Sequence, residues 1–238
     1  MSKKRNITID DMFRFKLINS PEISPDGEKI VFTYKWTDLK ENTYYSNLYM
    51  ADLKTERVYQ FTYGNHNDLY PVWSPDGKHI LFRTDRDKDK KGLWIIDTDG
   101  GEARPLITDK GSIGEYIWSP DSKYIYYTFR KLDDPLPREH ISNDPEYKIK
   151  DEDQPYSIID EIPYKAKNGQ IKAKGKFNIY SFEIATGKKQ QLTKENYDDF
   201  NPCISHDGKK LAFCSNRSDD HIEDHENNDI YVMDLKTK

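Results

Sequence analysis

The stretch Pro71-Val72-Trp73-Ser74-Pro75-Asp76-Gly77-Lys78-His79-Ile80-Leu81-Phe82 decides the fold. Proline presets φ near about −65° at the second position of a tight turn, aspartate bonds nearby amides, and glycine accepts positive φ at the end. An apolar run precedes the turn and alternating apolar residues follow it, which predicts a β-hairpin. The string recurs as Pro21-Glu22-Ile23-Ser24-Pro25-Asp26-Gly27 leading to Ile30-Val31-Phe32. It recurs again as Tyr116-Ile117-Trp118-Ser119-Pro120-Asp121-Ser122 leading to Ile125, and as Pro202-Cys203-Ile204-Ser205-His206-Asp207-Gly208 leading to Leu211. The serines fall at 24, 74, 119 and 205, at intervals of 50, 45 and 86. Two copies depart from the pattern: Ser122 replaces the turn glycine, and His206 replaces the turn proline, whose φ is then not preset.

A second element follows each hairpin. It reads Asn47-Leu48-Tyr49-Met50-Ala51-Asp52, Gly92-Leu93-Trp94-Ile95-Ile96-Asp97, Asn178-Ile179-Tyr180-Ser181-Phe182-Glu183 and Asp229-Ile230-Tyr231-Val232-Met233-Asp234. A turn and a last short strand come next, ending at Gln60-Phe61-Thr62, Leu106-Ile107-Thr108 or Gln191-Leu192-Thr193. Four short antiparallel strands in about 45 residues are the period and content of a β-propeller blade. The predicted fold is therefore all-β: one partial β-propeller of about four blades, forming an open arc. An N-terminal arm takes residues 1–20, and blades take 21–62, 71–108, 115–193 and an incomplete 201–238. Residues 131–176 read as an insertion between the second and third strands of blade three; Pro135, Pro137, Pro145, Pro155 and Pro163 exclude central-strand pairing there. Thr8-Ile9-Asp10-Asp11 resembles a capping box, whereas Phe13, Phe15 and Leu17 alternate as in a strand, so the arm admits both readings.

The chain has 238 residues, 33% of them charged and 13% aromatic, with 37 basic against 42 acidic residues. The rings argue against wholesale disorder, and the acidic balance argues against a nucleic-acid binder. No run of about 18 apolar residues occurs, and no apolar core follows the basic start, so a cytoplasmic location is expected. Cys203 and Cys214 read as free thiols, the only cysteines present.

The hairpins, each followed by an Ile-Tyr-type strand ending at an acid, resemble propellers of the TolB and prolyl oligopeptidase type. Ile158-Ile159-Asp160-Glu161-Ile162-Pro163-Tyr164-Lys165, Gln190-Gln191-Leu192-Thr193 and the opening Ile9-Asp10-Asp11-Met12-Phe13 narrow the resemblance to the acylaminoacyl-peptidase branch. In that family a seven-bladed propeller covers a C-terminal α/β-hydrolase domain with a Ser-Asp-His triad and filters substrates by size. The resemblance implies a non-catalytic propeller segment that works with a hydrolase domain or chain supplying the remaining blades and the triad, on peptide substrates. The alternative is a self-contained TolB-like module that binds a protein partner.

No catalytic residue is assigned, and no cofactor or metal is called for. A nucleophile elbow requires Gly-x-Ser-x-Gly, and Gly111-Ser112-Ile113-Gly114, read as an inter-blade loop, has the wrong spacing. His221 and His225, four apart in an acidic run, could share a divalent ion, but a solvated hairpin loop accounts for them. Asp87-Lys88-Asp89-Lys90-Lys91-Gly92 places Lys91 and Thr98 where calcium ligands belong. Lys165, Lys167, Lys172, Lys174 and Lys176 read as a charged solvated hairpin rather than a nucleic-acid contact. Trp73 and Trp118, recurring at one repeat position, read as inter-blade packing, and Asp52, Asp97 and Asp234 as turn-formers.

Overall fold

The computed structural model describes residues 5–87, 92–131, 175–194, 196–218 and 227–237. Its regular structure is antiparallel sheet, with one short 3-10 helix at Ile9–Arg14. The first sheet holds β1 (Leu17–Ile23), β2 (Lys29–Asp38), β3 (Thr43–Asp52) and β4 (Arg57–Gln60). The second holds β5 (Asp68–Trp73), β6 (His79–Thr84), β7 (Gly92–Asp97) and β8 (Arg104–Ile107). The third holds β9 (Gly111–Trp118), β10 (Tyr124–Lys131), β11 (Asn178–Glu183) and β12 (Lys189–Gln191). The fourth holds β13 (Asp199–Ile204), β14 (Lys210–Ser215) and β15 (Asp229–Asp234). Strands pair in chain order within every sheet. Among the described residues nothing in the fourth sheet pairs with the first sheet or the arm, so the propeller is an open arc.

Each hairpin turn is built alike. Gly27 N–H donates to Ser24 O at 2.8 Å, and Ser24 N–H donates to Lys29 O at 2.8 Å. The Ser24 hydroxyl donates to Asp26 Oδ1 at 2.6 Å, and Asp26 Oδ1 accepts from Glu28 N–H at 3.0 Å. The same serine–aspartate bond recurs at Ser74–Asp76, Ser119–Asp121 and Ser205–Asp207. His206 leaves the turn intact, because Gly208 N–H still reaches Ser205 O at 2.8 Å. Ser122 takes the left-handed conformation of the glycine it replaces, with φ 59°.

The first strand of each blade begins earlier than proline placement suggests: at Leu17, Asp68, Gly111 and Asp199 rather than at 21, 71, 115 and 201. The cause is a one-residue bulge in all four blades, at the same place in three of them and one residue earlier in blade three. Four residues of β1, from Asn19 to Glu22, span three of β2, from Thr33 to Val31, and β5, β9 and β13 do likewise. In three blades the residue before the proline is left-handed, with φ 48° at Ser20, 55° at Tyr70 and 51° at Asn201. The proline thus sits inside a bulge, where its missing donor costs no ladder bond. Blade three has Tyr116 at the proline position and Gly114 in the bulge, where a Cβ would lie 2.3 Å from Thr128 Oγ1.

β10 and β11 pair directly, from Tyr124 with Glu183 to Phe129 with Asn178, so the insertion leaves from a hairpin between strands two and three. Residues 132–174 of that insertion, including the predicted lysine hairpin, lie outside the described residues. The arm resolves as the capped turn: Thr8 closes a capping box on Asp11, and the strand starts only at Leu17.

The core lies between blades, and each interface has a polarity. Val31, Leu48 and Met50 of blade one meet Trp73, Ile80, Phe82, Trp94 and Ile96 of blade two. Leu81, Leu93, Ile95 and Ile107 of blade two meet Tyr116, Trp118, Ile125, Tyr127, Phe129 and Phe182 of blade three. Tyr126 and Ile179 of blade three meet Leu211 and Phe213 of blade four, with Tyr231 and Met233 against them. Facing the next blade, the first two blades are aliphatic; facing the previous one, blades two and three are rich in rings. Each large side chain removed from water here contributes about 1.5–3 kcal/mol.

Candidate functional site

Polar chemistry concentrates at the blade junctions, in two repeated constructions. At the first, β5 and β13 open on an acid. Asp68, fully buried, receives Arg86 Nη2–H at 2.6 Å and faces His66 Nε2 at 3.3 Å. Asp199, also buried, faces Arg217 Nη2 at 3.4 Å. Each arginine lies over rings of its own blade: Arg86 over Phe82 and Trp94 at 5.3 and 5.2 Å, and Arg217 over Phe213 and Tyr231 at 5.4 and 4.5 Å. The cross-strand partner of each acid is a hydroxyl residue, Thr84 or Ser215. In blades one and three the same position is Ile18 or Ile113, and its partner is Tyr34 or Phe129. The blades therefore alternate between an acid–hydroxyl–arginine construction and an aliphatic–aromatic one.

Burial pushes the Asp68 carboxyl up, but His66, Arg86 and the Thr62 and Thr84 hydroxyls together hold it below the usual aspartate value. Its Oδ1 has no hydrogen bond of sound geometry, although both hydroxyls lie close enough to favour the ionised form. Thr62 ends blade one, and its hydroxyl accepts Leu48 N–H at 2.9 Å. Asp68 thus links the end of one blade to the start of the next. Thr193 accepts Ile179 N–H at 2.8 Å in the same way ahead of Asp199.

The second construction is the row of hairpin turns. A cleft of about 180 Å³ opens between the first two, lined by Ser24, Asp26, Lys29, Trp73, Asp76 and Thr98. Its carboxylates are committed to their own turns. The serine hydroxyl and backbone amide hold Asp26 below the ordinary aspartate range, and the same donors offset burial at Asp76. Neighbouring turns touch: Asp76 N–H donates to the Ser122 hydroxyl at 3.0 Å, and a Cβ on Gly208 would lie 3.7 Å from Pro120 Cδ.

Trp73 and Trp118 are buried between blades, and the Trp73 indole N–H donates to Glu22 O at 3.1 Å. Asp52 caps the amides of Lys54 and Thr55, and Asp234 those of Lys236 and Thr237. Asp97 departs from this role, bonding His79 Nδ1 at 2.8 Å instead. Gly111-Ser112-Ile113-Gly114 is not a loop but the start of β9, where a Cβ on Gly111 would collide with Phe129 and Arg130. His66 and His79 each bond a carboxylate, Asp68 or Asp97, rather than a hydroxyl or thiol nucleophile. His221, His225 and Lys88–Lys91 lie outside the described residues. Among the described residues no group of three His, Cys, Asp or Glu is arranged around a metal position, and no helix is long and apolar enough to cross a membrane. The alternation of Asp68 and Asp199 with Ile18 and Ile113 was readable by aligning the repeats six residues before each serine.

A family model described as the TolB beta propeller domain matches residues 8–152. The chain is 29% identical over 97% of its length to the uncharacterized peptidase YuxL of Bacillus subtilis, and 24% identical over 99% to dipeptidyl-peptidase 5 of Porphyromonas endodontalis. It spans about a third of the length of both. Among solved structures, the acylaminoacyl peptidase of Pyrococcus horikoshii superposes with a TM-score of 0.67 at 16% identity, over 94% of this chain and 32% of that one.

Proposed function

Because the chain belongs to the TolB β-propeller family, we propose that it is the propeller part of a serine peptidase of the prolyl oligopeptidase kind, admitting peptides to a hydrolase domain that carries the chemistry. The observation that supports this most is the match over 97% of the chain to about a third of a peptidase. The geometry agrees with a scaffolding role: the acids at the turns and junctions are held by amides, hydroxyls and arginines of the propeller itself. In this reading the chain alone is not an enzyme. The test is to incubate the purified chain with acyl-peptide and dipeptidyl chromogenic substrates and with a fluorescent serine-directed phosphonate. No turnover and no labelling are expected; turnover abolished by the phosphonate would refute the reading.

The alternative, a self-contained protein-binding module, draws on one observation. Tyr34, Trp36, Tyr45 and Tyr49 form a half-exposed ladder of rings, with neighbouring centroids 4.7–6.4 Å apart, on a face of blade one that no blade covers among the described residues.

A further inference from the structure

An arginine laid over a ring is a repeated device in this chain, and one copy lacks its counter-ion. Arg86 and Arg217 each lie over rings of their own blade and end on a buried aspartate, Asp68 or Asp199. Half-buried Arg83 lies over the Tyr70 ring at 5.6 Å, and among the described residues its guanidinium ends on no acceptor. Arg83 shares with Leu81 the face of β6 that meets blade three. Two acids of the neighbouring inner strands do not reach it. Glu115 accepts the Thr128 hydroxyl at 2.9 Å, and Thr128 shares with Tyr126 the face of β10 that meets blade four. Glu22 forms no ion pair among the described residues, and burial holds its carboxyl above the usual glutamate value. A guanidinium is charged at every physiological pH, so one partly withdrawn from water gains from any carboxylate that can approach it.

A second observation aims this pair at the channel. β1 packs along β5 and β9 along β13, so the first strands form the inner edge of the arc. Blades one and three cover the two faces of blade two. A side chain of β5 that stays exposed between covered neighbours therefore points off the free edge, toward the axis. Tyr70 is 51% exposed, between half-buried Leu69 and buried Pro71. Its backbone is left-handed, with φ 55°. That conformation costs a side-chain-bearing residue about 1–2 kcal/mol, and a bulge is the usual means of re-aiming a side chain. The Tyr116 hydroxyl, donating to Tyr70 O, fixes the re-aimed residue from blade three. Burial pushes that hydroxyl up and Arg83 acts in the opposite sense, which puts the guanidinium beside the same bond. The pair thus stands in the middle of the arc, flanked by blades on both sides.

We propose that Arg83 and Tyr70 form a carboxylate-binding subsite on the inner wall of the propeller, which takes the C-terminal carboxylate or an acidic side chain of a peptide. The subsite extends the reading of the chain as the part that admits peptides, and depends on it. The Tyr70 ring holds one face of the guanidinium, and the planar fork offers two parallel N–H donors to a carboxylate. The arrangement is that of Arg86 with Phe82 and Asp68, with the acid supplied by the ligand. A neutral peptide brings no counter-ion, and a basic one is repelled.

The experiment titrates the full chain, its tyrosine rings carbon-13 labelled, with four blocked peptides and follows the Tyr70 ring signal by NMR. The signal is assigned by its loss in Tyr70→Phe. The probes are acetyl-trialanine with a free carboxylate, acetyl-Ala-Glu-Ala-amide, acetyl-trialanine-amide and acetyl-Ala-Lys-Ala-amide. The Tyr70 signal is expected to move with one or both carboxylate probes, saturating in the millimolar range, and which of the two acts identifies the source of the carboxylate. The neutral and basic probes are expected to bind at least about tenfold more weakly. Arg83→Gln is expected to weaken carboxylate binding at least about tenfold, and Arg83→Lys to recover part of the loss, keeping the charge without the fork. Urea midpoints and the remaining tyrosine signals report whether each variant stays folded. A Tyr70 signal unmoved by both carboxylate probes at about 10 mM, an equal response to the neutral probe, or unchanged affinity in Arg83→Gln would overturn the proposal. Turnover abolished by the phosphonate would instead overturn the propeller-segment reading, and it is scored on the same chain without reference to Tyr70.

Discussion

Replacing Asp68 by isoleucine tests whether the acid is a junction anchor. The carboxylate is fully buried and receives Arg86 at 2.6 Å, while the Arg86 side chain is only 19% exposed. Removing one partner of a buried ion pair strands the other and costs about 3–5 kcal/mol. The lower end applies here, because Arg86 keeps an edge in water and rests on Phe82 and Trp94. Asp68→Ile should therefore cost about 3 kcal/mol, which at a urea slope near about 3 kcal/mol per molar lowers the midpoint by about 1 M. Indole fluorescence is the readout, since Trp73 and Trp94 lie in the cluster that the junction encloses. Blades one and three carry isoleucine at this position without an arginine two places past its cross-strand partner, having Trp36 and Lys131 there. Hence Asp68→Ile combined with Arg86→Met should recover to within about 1 kcal/mol of the wild type, as buried pairs replaced by apolar groups often do. A single variant whose midpoint stays within about 0.2 M of wild type would refute the reasoning.

Trp73→Ala should cost about 3–5 kcal/mol by urea unfolding, through the cavity left between blades and the loss of the bond to Glu22 O. Gly92→Ala should lower the midpoint by the equivalent of about 2 kcal/mol or more, because φ is 151° and a Cβ would lie 2.1 Å from Ile107 O. Ser122→Ala should cost about 1 kcal/mol, since it keeps the left-handed backbone and removes the acceptor of Asp76 N–H. Acid should loosen the hairpins together: Ser205 and the Lys209 amide hold Asp207 at about 2, and Asp26 and Asp121 are lowered by the same kind of bonds. A carboxyl lowered on folding adds stability that is complete above its unfolded value near about 4 and is lost as pH falls through the folded value. Urea midpoints should therefore drop between about pH 4 and 2, and Asp207→Asn should flatten that part of the profile.

The hairpins were legible because Ser-Pro-Asp-Gly is a local signal: every bond of the turn lies within six residues, so four copies announce four blades. Burial of Trp73 and Trp118 followed from their shared repeat position. Strand starts were set too late, at residues 21, 71 and 201, because proline marks a break only in a regular ladder, and the left-handed residue before Pro21, Pro71 and Pro202 lets the strand continue. The string around Ser112 looked like a loop because glycines flank it; they are there because Phe129, Arg130 and Thr128 leave no room for a Cβ. The Asp68–Arg86 and Asp199–Arg217 pairs were hidden by distance, each arginine lying 18 residues from its acid, just past the end of the neighbouring strand. Function was the least legible, because the polar residues of the repeats are consumed in holding blades to one another.

The surplus residue in every inner strand has a mechanical meaning. A bulge sharpens local twist and leaves carbonyl groups out of the ladder. Carbonyls in and beside the bulge become sockets for the next blade: Tyr116 plugs its hydroxyl into Tyr70 O, within the bulge of β5, and Trp73 plugs into Glu22 O, at the edge of the bulge of β1. Apolar faces alone would let neighbouring blades slide, since dispersion is indifferent to direction. A hydrogen bond into a fixed carbonyl is not, so the sockets act as detents that set the pitch from one blade to the next. Curvature is in that case a local property of each inner strand, and an arc of blades holds its radius before any ring has closed.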